Sequence, residues 1–429
     1  MKGDVQVKPV RGLVGEMEVP GDKSVSHRAA IFASMASGRS EVGNFLFSED
    51  TLRTVEIMRG LGADISSHSR SLLITGVGEG GFREPESVLD CGNSGTTMRL
   101  MIGLLAAQDF FSVLSGDASL VKRPMGRVTV PLREMGAKMM GREDASFAPI
   151  AVRGGGLTGI KYDMPVSSAQ VKSALLLAGM GAEGLTRVSD PGNSRDHTER
   201  MMRYFNIPVD EEEGYITVRR CGTFKGRDID VVGDISSAAF FIVGALVTEK
   251  SDLTIKGVGM NPGRKGFIET LIKMGADITI LNEREVSGEP AGDVRVKSSG
   301  LTGIEIGGDS IPGMIDEVPV LAVAAAYAEG ETVITGAKEL RVKESDRIKT
   351  TAENLTSLGV SVEELPDGLV VRPKGRVRGG EARSYGDHRA AMAAAVAGIS
   401  SEAGVNISDA GCVSVSFPGF FEMLREVSI

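Results

Sequence analysis

A chain of 429 residues exceeds what one hydrophobic core holds together, so two domains are expected. With 41% apolar and 24% charged residues it reads as a soluble globular protein, and a net charge of −9 argues against a nucleic-acid partner. Cys91, Cys221 and Cys412 form no CxxC pair, the four histidines have no HxH or HxxxH spacing, no apolar run spans a bilayer and no leader-like segment opens the chain; disulfides, a metal site and a membrane partner are therefore not expected, and a bacterial or archaeal cytoplasm is.

The first predicted element begins near Gly21, where PGDKSVSHRAAIFASMASG joins a turn of small, polar and glycine residues to an alanine-rich run with few charges. Five more stretches share that layout: CGNSGTTMRLMIGLLAA near Gly92, SSAQVKSALLLAGMGAEG at Ser167, GDISSAAFFIVGALV at Gly233, PGMIDEVPVLAVAAAYAEG at Pro312 and GDHRAAMAAAVAG at Gly386. Each is read as a buried helix entered from a polar turn, and their recurrence about every 70 residues marks six copies of one unit.

A second landmark follows each buried helix. It is an amphipathic helix closed by glycine and running into a strand, as in DTLRTVEIMRGLGADIS, where Leu52, Val55, Met58 and Leu61 keep helical spacing. Gly62, Gly136, Gly275 and Gly359 are expected C-cap residues, with Asn206 in the third copy. Hairpin-like pieces come next, so the unit reads strand, buried helix, strand, exposed helix, strand, strand. Three units fit each domain, with junctions near Pro20 and Gly233, where two crossover strands are expected: a first lobe of residues 21–233, and a second of 1–20 with 234–429.

The helix starts carry an unusual charge. Asp, Ser, Thr and Asn suit the positive end of a helix dipole, whereas cations repel it. Yet Lys23 and Arg28 lie at the first start, Arg99 and Lys172 within about two turns of the second and third, and Arg389 at the sixth. Such crowding predicts an anion among the cations, held in a cleft on which the helix starts converge. In SLVKRPM, Pro124 fixes the backbone after Arg123 and presents its guanidinium as a fork for phosphate or carboxylate. In ELRVKESDRIKTTAENL, Lys343 and Arg347 are four apart around Glu344, a proton-transfer candidate that flanking cations would keep ionised. Asp316 leads into a very apolar run, either as a cap or as an acceptor of a hydroxyl proton. Ser194 and Arg195 precede a further helix.

VPGDKSVSHRA, CGNSGTTMRL, SLVKRPM, SSAQVKSALLLAG, SRDHTE, GDISSAAFF, RVKESDR and YGDHRAA, in this order from about residue 8 to about residue 425, resemble the signature segments of the 5-enolpyruvylshikimate-3-phosphate synthases. The resemblance implies a two-domain, inside-out α/β barrel of six βαβαββ units, three per domain, with buried helices wrapped by sheets. It implies transfer of the enolpyruvyl group of phosphoenolpyruvate to the 5-hydroxyl of shikimate 3-phosphate, in the route to chorismate and the aromatic amino acids, with no metal or cofactor. Lys23, Ser24, Arg28, Ser168, Ala169, Gln170, Ser194, Arg195, Asp316 and Lys343 would hold shikimate 3-phosphate. Lys23, Gly95, Arg123, Gln170, Arg347 and Arg389 would hold phosphoenolpyruvate, Gly95 through close approach of its backbone. Asp316 would take the hydroxyl proton, Glu344 would exchange a proton with the transferred carbon, and Lys23 and Lys343 would assist. Glyphosate would occupy the phosphoenolpyruvate site. Val415 and Glu339 stand where some members have lysine and asparagine, so those two contacts do not carry over.

Three other readings fit the residues less well. The sister transferase that acts on UDP-N-acetylglucosamine usually has a catalytic cysteine in the loop before its own Arg-Pro, and SGDASLVKRPM has none. A non-catalytic anion binder would gain nothing from Asp316 and Glu344. A nucleotide-dependent phosphotransferase is disfavoured because no GxxxxGK[ST] occurs. A monomer that uses two small phosphorylated substrates is expected.

Overall fold

The structure is a computed structural model that describes residues 3–192, 194–308 and 310–429. Among the described residues, twelve helices of seven residues or more alternate between buried and surface positions. They are α1 (Lys23–Met35), α2 (Glu49–Gly60), α3 (Gly95–Ala106), α4 (Gly126–Glu134), α5 (Ala169–Gly179), α6 (His197–Tyr204), α7 (Ile235–Val247), α8 (Gly266–Lys273), α9 (Val318–Ala326), α10 (Arg347–Ser357), α11 (His388–Ile399) and α12 (Phe420–Glu426). The odd-numbered helices are the six buried ones; α9 and α11 have every residue buried, because alanine-rich surfaces leave no polar face to present to water.

The polar turns before these helices act as caps. Asp22, Ser94, Ser168, Asp234 and Asp387 each accept a backbone N–H in the first turn, at 2.9, 3.2, 3.4, 2.8 and 2.9 Å. α9 is the exception. It grows from a 3-10 turn at Ile315–Glu317 with Pro319 in its first turn, and Glu317 at its N-cap makes no side-chain capping bond. The surface helices end as expected: Gly62, Gly136, Gly275 and Gly359 have φ between 91° and 113°, and Asn206 has φ 57°.

The chain divides into two compact units. One comprises Gly21–Val231 with Glu285–Glu289, the turn of the long hairpin formed by Asp277–Val286 and Glu289–Lys297; the other comprises the chain up to Pro20, Val232–Arg284 and Pro290–Ile429. Assignment of that turn to the first unit was not anticipated. A hairpin tip has no compositional mark of where it packs.

Three units of the repeat are contiguous. In one, Leu89–Asp90 runs parallel to Phe111–Ser115, followed by antiparallel Phe147–Arg153 and Lys138–Gly141. The other two span Lys161–Arg219 and Glu305–Arg372 in the same order. The other units are not contiguous. Val14–Glu18, which precedes α1, pairs in parallel with Asp252–Gly259 after α7; Ile229–Asp230, which precedes α7, pairs in parallel with Ser37–Gly43 after α1. The two leading strands are thus exchanged where the chain passes between units. The sixth sheet has three strands, with Val5–Val7 antiparallel to Val405–Ser408 in place of a terminal hairpin.

Within each unit the buried helices form the core. α3 and α5 touch at Gly103, where a Cβ would lie 2.3 Å from the Ala174 carbonyl oxygen; only glycine allows that approach. In the other unit α7, α9 and α11 pack on one another, and Phe240, Phe241, Phe417 and Phe420 interlock at centroid distances of 5.4 to 6.0 Å.

Candidate active site

In the unit containing Gly21–Val231, the starts of α1, α3 and α5 are joined by polar contacts. Lys23 Nζ donates to Asp50 Oδ2 at 3.0 Å. Asp50's backbone carbonyl in turn accepts from Thr97 Oγ1 at 3.3 Å. Gln170 bridges α5 to α3, accepting from Arg99 Nη1 at 2.6 Å and donating to Thr96 Oγ1 at 2.9 Å. Arg123 Nη2 donates to Asn93 Oδ1 at 2.6 Å, with the Ser119 hydroxyl at 3.5 Å. Gly95 lies between the two guanidiniums: a Cβ there would sit 3.0 Å from Arg99 Nη1 and 3.5 Å from Arg123 Nη1. Gly95, Arg123 and Gln170, chosen from sequence, are therefore one group, together with Arg99.

Arg28 is almost wholly buried. Nε and Nη2 donate to the hydroxyls of Thr198 and Ser173, both at 2.6 Å, and Nη1 donates to the Ser24 carbonyl at 2.9 Å. Burial lowers its pKa to about 10, against the pull of Glu199, Asp22 and Glu289, which leaves it charged at neutral pH. Lys172 corrects the expectation of unpaired cations: it is buried against Glu199 Oε1 at 2.8 Å and Asp190 Oδ2 at 3.3 Å, so its charge is neutralised within the unit. Ser194 donates its backbone N–H to Asp190 at 2.8 Å and its hydroxyl to the same carboxylate.

The other unit gathers Asp316, Lys343, Glu344, Arg347 and Arg389. Arg347, 2% exposed, donates Nε to Asp387 at 2.8 Å, Nη2 to Glu344 at 2.5 Å and Nη1 to Asp316 at 3.3 Å. Burial opposes its charge, yet Asp387, Glu344 and Asp316 outweigh it and raise the pKa. Lys343 Nζ stands 3.8 Å from Asp316 Oδ1, and Arg389 Nη1 donates to the Asp316 carbonyl at 2.9 Å. Asp316 thus serves as acceptor for the neighbouring cations. The mutual repulsion expected of these cations is offset here by the carboxylates interleaved among them. Glu339 is exposed and Val415 half-buried.

Comparison with known proteins decides the family. A family model described as EPSP synthase (3-phosphoshikimate 1-carboxyvinyltransferase) matches residues 7–424. The chain belongs to the EPSP synthase family. A 3-phosphoshikimate 1-carboxyvinyltransferase of Desulforudis audaxviator is 53% identical over 426 residues, 99% of each chain, and one of Geobacter sulfurreducens is 50% identical over 98% of each. The solved EPSP synthase of Acinetobacter baumannii superposes with a TM-score of 0.90 at 45% identity, over 100% of this chain and 98% of that one. The enolpyruvyl transferase NikO of Streptomyces tendae, 18% identical with a TM-score of 0.80, shares the fold. In this EPSP synthase family member, sequence reasoning missed Asp50, Asp190 and Asp387, the carboxylates that hold Lys23, Ser194 and Arg347. Asp387 caps a helix and Asp50 lies in a first turn, where an aspartate reads as an ordinary cap, and Asp190 opens the Asp-Pro-Gly turn after Leu185–Ser189, where it reads as an ordinary turn residue.

His27 offers a pH test of the α1 packing. It is fully buried, its Nδ1 2.7 Å from Thr54 Oγ1, and burial followed by the charges of Lys23 and Arg28 holds its pKa well below 6.5. A neutral folded histidine contributes stability that is complete above the unfolded pKa and is lost as pH falls. The melting temperature is expected to drop between pH 7.5 and 5, with a shallower slope in His27→Asn; thermal scans giving parallel slopes would reject this.

Proposed function

We propose that this transferase moves the enolpyruvyl group of phosphoenolpyruvate to the 5-hydroxyl of shikimate 3-phosphate, with Asp316 as base. The oxygen of the 5-hydroxyl bonds to C2 of phosphoenolpyruvate while its proton passes to Asp316 and C3 gains a proton. The C2–O bond to phosphate then breaks, C3 returns its proton and inorganic phosphate leaves. The observation that carries the reading is Asp316, a partly exposed carboxylate whose Oδ1 is 3.3 Å from Arg347 Nη1 and 3.8 Å from Lys343 Nζ. Those cations favour the ionised form that accepts a proton. Glu344, on the same guanidinium, exchanges the C3 proton.

Lys23, Ser24, Arg28, Ser168, Ala169, Gln170, Ser194 and Arg195 bind shikimate 3-phosphate, and Lys343 assists Asp316. Gly95, Arg123, Gln170, Arg347 and Arg389 bind phosphoenolpyruvate, with Lys23 reaching both substrates. A cytoplasmic monomer is the accompanying reading, which sedimentation velocity tests; among the described residues no helix is long and apolar enough to cross a membrane. Mixing the protein with phosphoenolpyruvate and following inorganic phosphate decides the reaction. Release that requires shikimate 3-phosphate supports it. Release only with UDP-N-acetylglucosamine, or none with either, overturns it.

Gly95→Ala tests the phosphoenolpyruvate group. The added methyl falls within 3.0 Å of Arg99 and 3.5 Å of Arg123, so a guanidinium must shift. A rise of about tenfold in KM for phosphoenolpyruvate and weaker inhibition by glyphosate are expected, with KM for shikimate 3-phosphate little changed; a loss of about 1.4 kcal/mol in binding suffices. Inhibition curves that superpose on the parent's would remove Gly95 from the site.

A further inference from the structure

Asp190 lies between two loops that the proposed function assigns to shikimate 3-phosphate, and that function gives it no role. Its side chain is 3% exposed, in the loop from Leu185–Ser189 to α6. Oδ1 accepts from the Ser167 hydroxyl at 2.6 Å and from Gly192 N at 3.3 Å. Oδ2 accepts from Ser194 N at 2.8 Å and from the Ser194 hydroxyl, and lies 3.3 Å from Lys172 Nζ. Lys172 also donates to the Ser194 carbonyl at 3.0 Å, and Glu199 steadies it at 2.8 Å. One carboxylate therefore ties the Ser167–Ser168 turn before α5 to the Ser194–Arg195 loop before α6, and Lys172 anchors both partners from below in sequence, on α5.

Proton accounting gives the clasp a second consequence. A serine hydroxyl has one proton and two lone pairs. Ser167 and Ser194 both give that proton to Asp190, so toward a ligand they are left as acceptors. An acceptor suits a hydroxyl group of the substrate and repels a phosphate oxygen. Donors to phosphate must then come from cations and backbone N–H groups.

Resting on the reading above, we propose that Asp190, seated on Lys172, is a positioning residue for shikimate 3-phosphate: it sets the spacing of the two loops and fixes Ser167 and Ser194 as hydrogen-bond acceptors. Its action is indirect, through the serines. Removing it disturbs the recognition of one substrate and leaves that of phosphoenolpyruvate alone.

Asp190→Asn is nearly isosteric, yet either orientation of the amide sets an NH₂ against donors, so the clasp fails. KM for shikimate 3-phosphate is expected to rise about 10–100-fold, the worth of a hydrogen bond to a charged group, while KM for phosphoenolpyruvate stays within about twofold. Ser167→Ala removes the link between loops and leaves the buried Lys172 pair in place. It should show the same split with an unchanged melting temperature, and Ser167→Thr, which restores the hydroxyl, should recover affinity. Titration calorimetry with shikimate 3-phosphate reads binding directly. If the parent binds and both Asp190→Asn and Ser167→Ala bind equally well, or if both Michaelis constants rise together, the positioning role is overturned. If the parent itself fails to bind, the failure belongs to the proposed function instead.

Discussion

Asp316→Asn is expected to lower turnover by about 10²–10⁴-fold, the usual contribution of a positioned general base, while both Michaelis constants stay within a few-fold. The amide has the shape of the carboxylate, and its oxygen can still accept from Arg347 Nη1, which lies 3.3 Å away in the parent. Arg347 keeps Asp387 and Glu344 as partners at 2.8 and 2.5 Å, so the cluster holds together and the melting temperature should stay near the parent's. What the variant loses is the capacity to take a proton. Steady-state kinetics with each substrate varied in turn give the result. Turnover near that of the parent would remove Asp316 from the base role. A large loss of affinity without loss of turnover would make it a binding group instead.

The repeat was legible because its two helix types differ in composition. A run such as VPVLAVAAA admits no exposed face, whereas DTLRTVEIMRG carries a single apolar stripe, and the glycines that close the surface helices have a backbone shape few other residues adopt. The crossovers near residues 20 and 233 were implied only by the family resemblance; the partners of the crossing strands were not legible from the residues. Val14–Glu18 and Ile229–Asp230 are five and two residues long, and nothing local tells a strand which sheet it joins when the partner is more than 180 residues away. The site shows the same division. Cations at helix starts are chemically odd and stand out in the sequence. The aspartates that organise them occupy positions where aspartate is the ordinary choice, so their role emerges only from three-dimensional partners. Lys172 illustrates the cost of reading charge without burial: it stood out as a cation near a helix start, and it is buried against Glu199 and Asp190 within its own unit.

Arg347→Ala should have its largest effect on stability rather than on affinity alone, as its burial dictates. The guanidinium is 2% exposed and meets three carboxylates, of which Asp387 has no exposed side-chain area. Burial alone would raise the Asp387 pKa, but Arg347 and His388 outweigh that and keep it low. Without Arg347, Asp387 retains the Arg389 N–H and the Ser345 hydroxyl but loses the cation that compensates its burial. Breaking a buried pair on one side typically costs about 3–5 kcal/mol. For a folding unit of roughly 150–250 residues that corresponds to a fall in melting temperature of about 6–20 °C. Calorimetry of the whole chain measures it, and the shifted transition should be that of the unit containing Pro290–Ile429. Adding Asp387→Asn should restore part of the loss, because a neutral amide needs no cation; with the Asp387→Asn single variant measured as well, the double-mutant cycle gives the coupling energy of the pair. Arg123→Ala supplies the contrast. Its guanidinium is half-buried and donates to the neutral Asn93 and Ser119 groups, so KM for phosphoenolpyruvate should rise with little thermal shift. Equal thermal shifts for Arg347→Ala and Arg123→Ala would show that the three-carboxylate cage does not hold the unit together, and Arg347 would then be a ligand-binding residue of the same kind as Arg123.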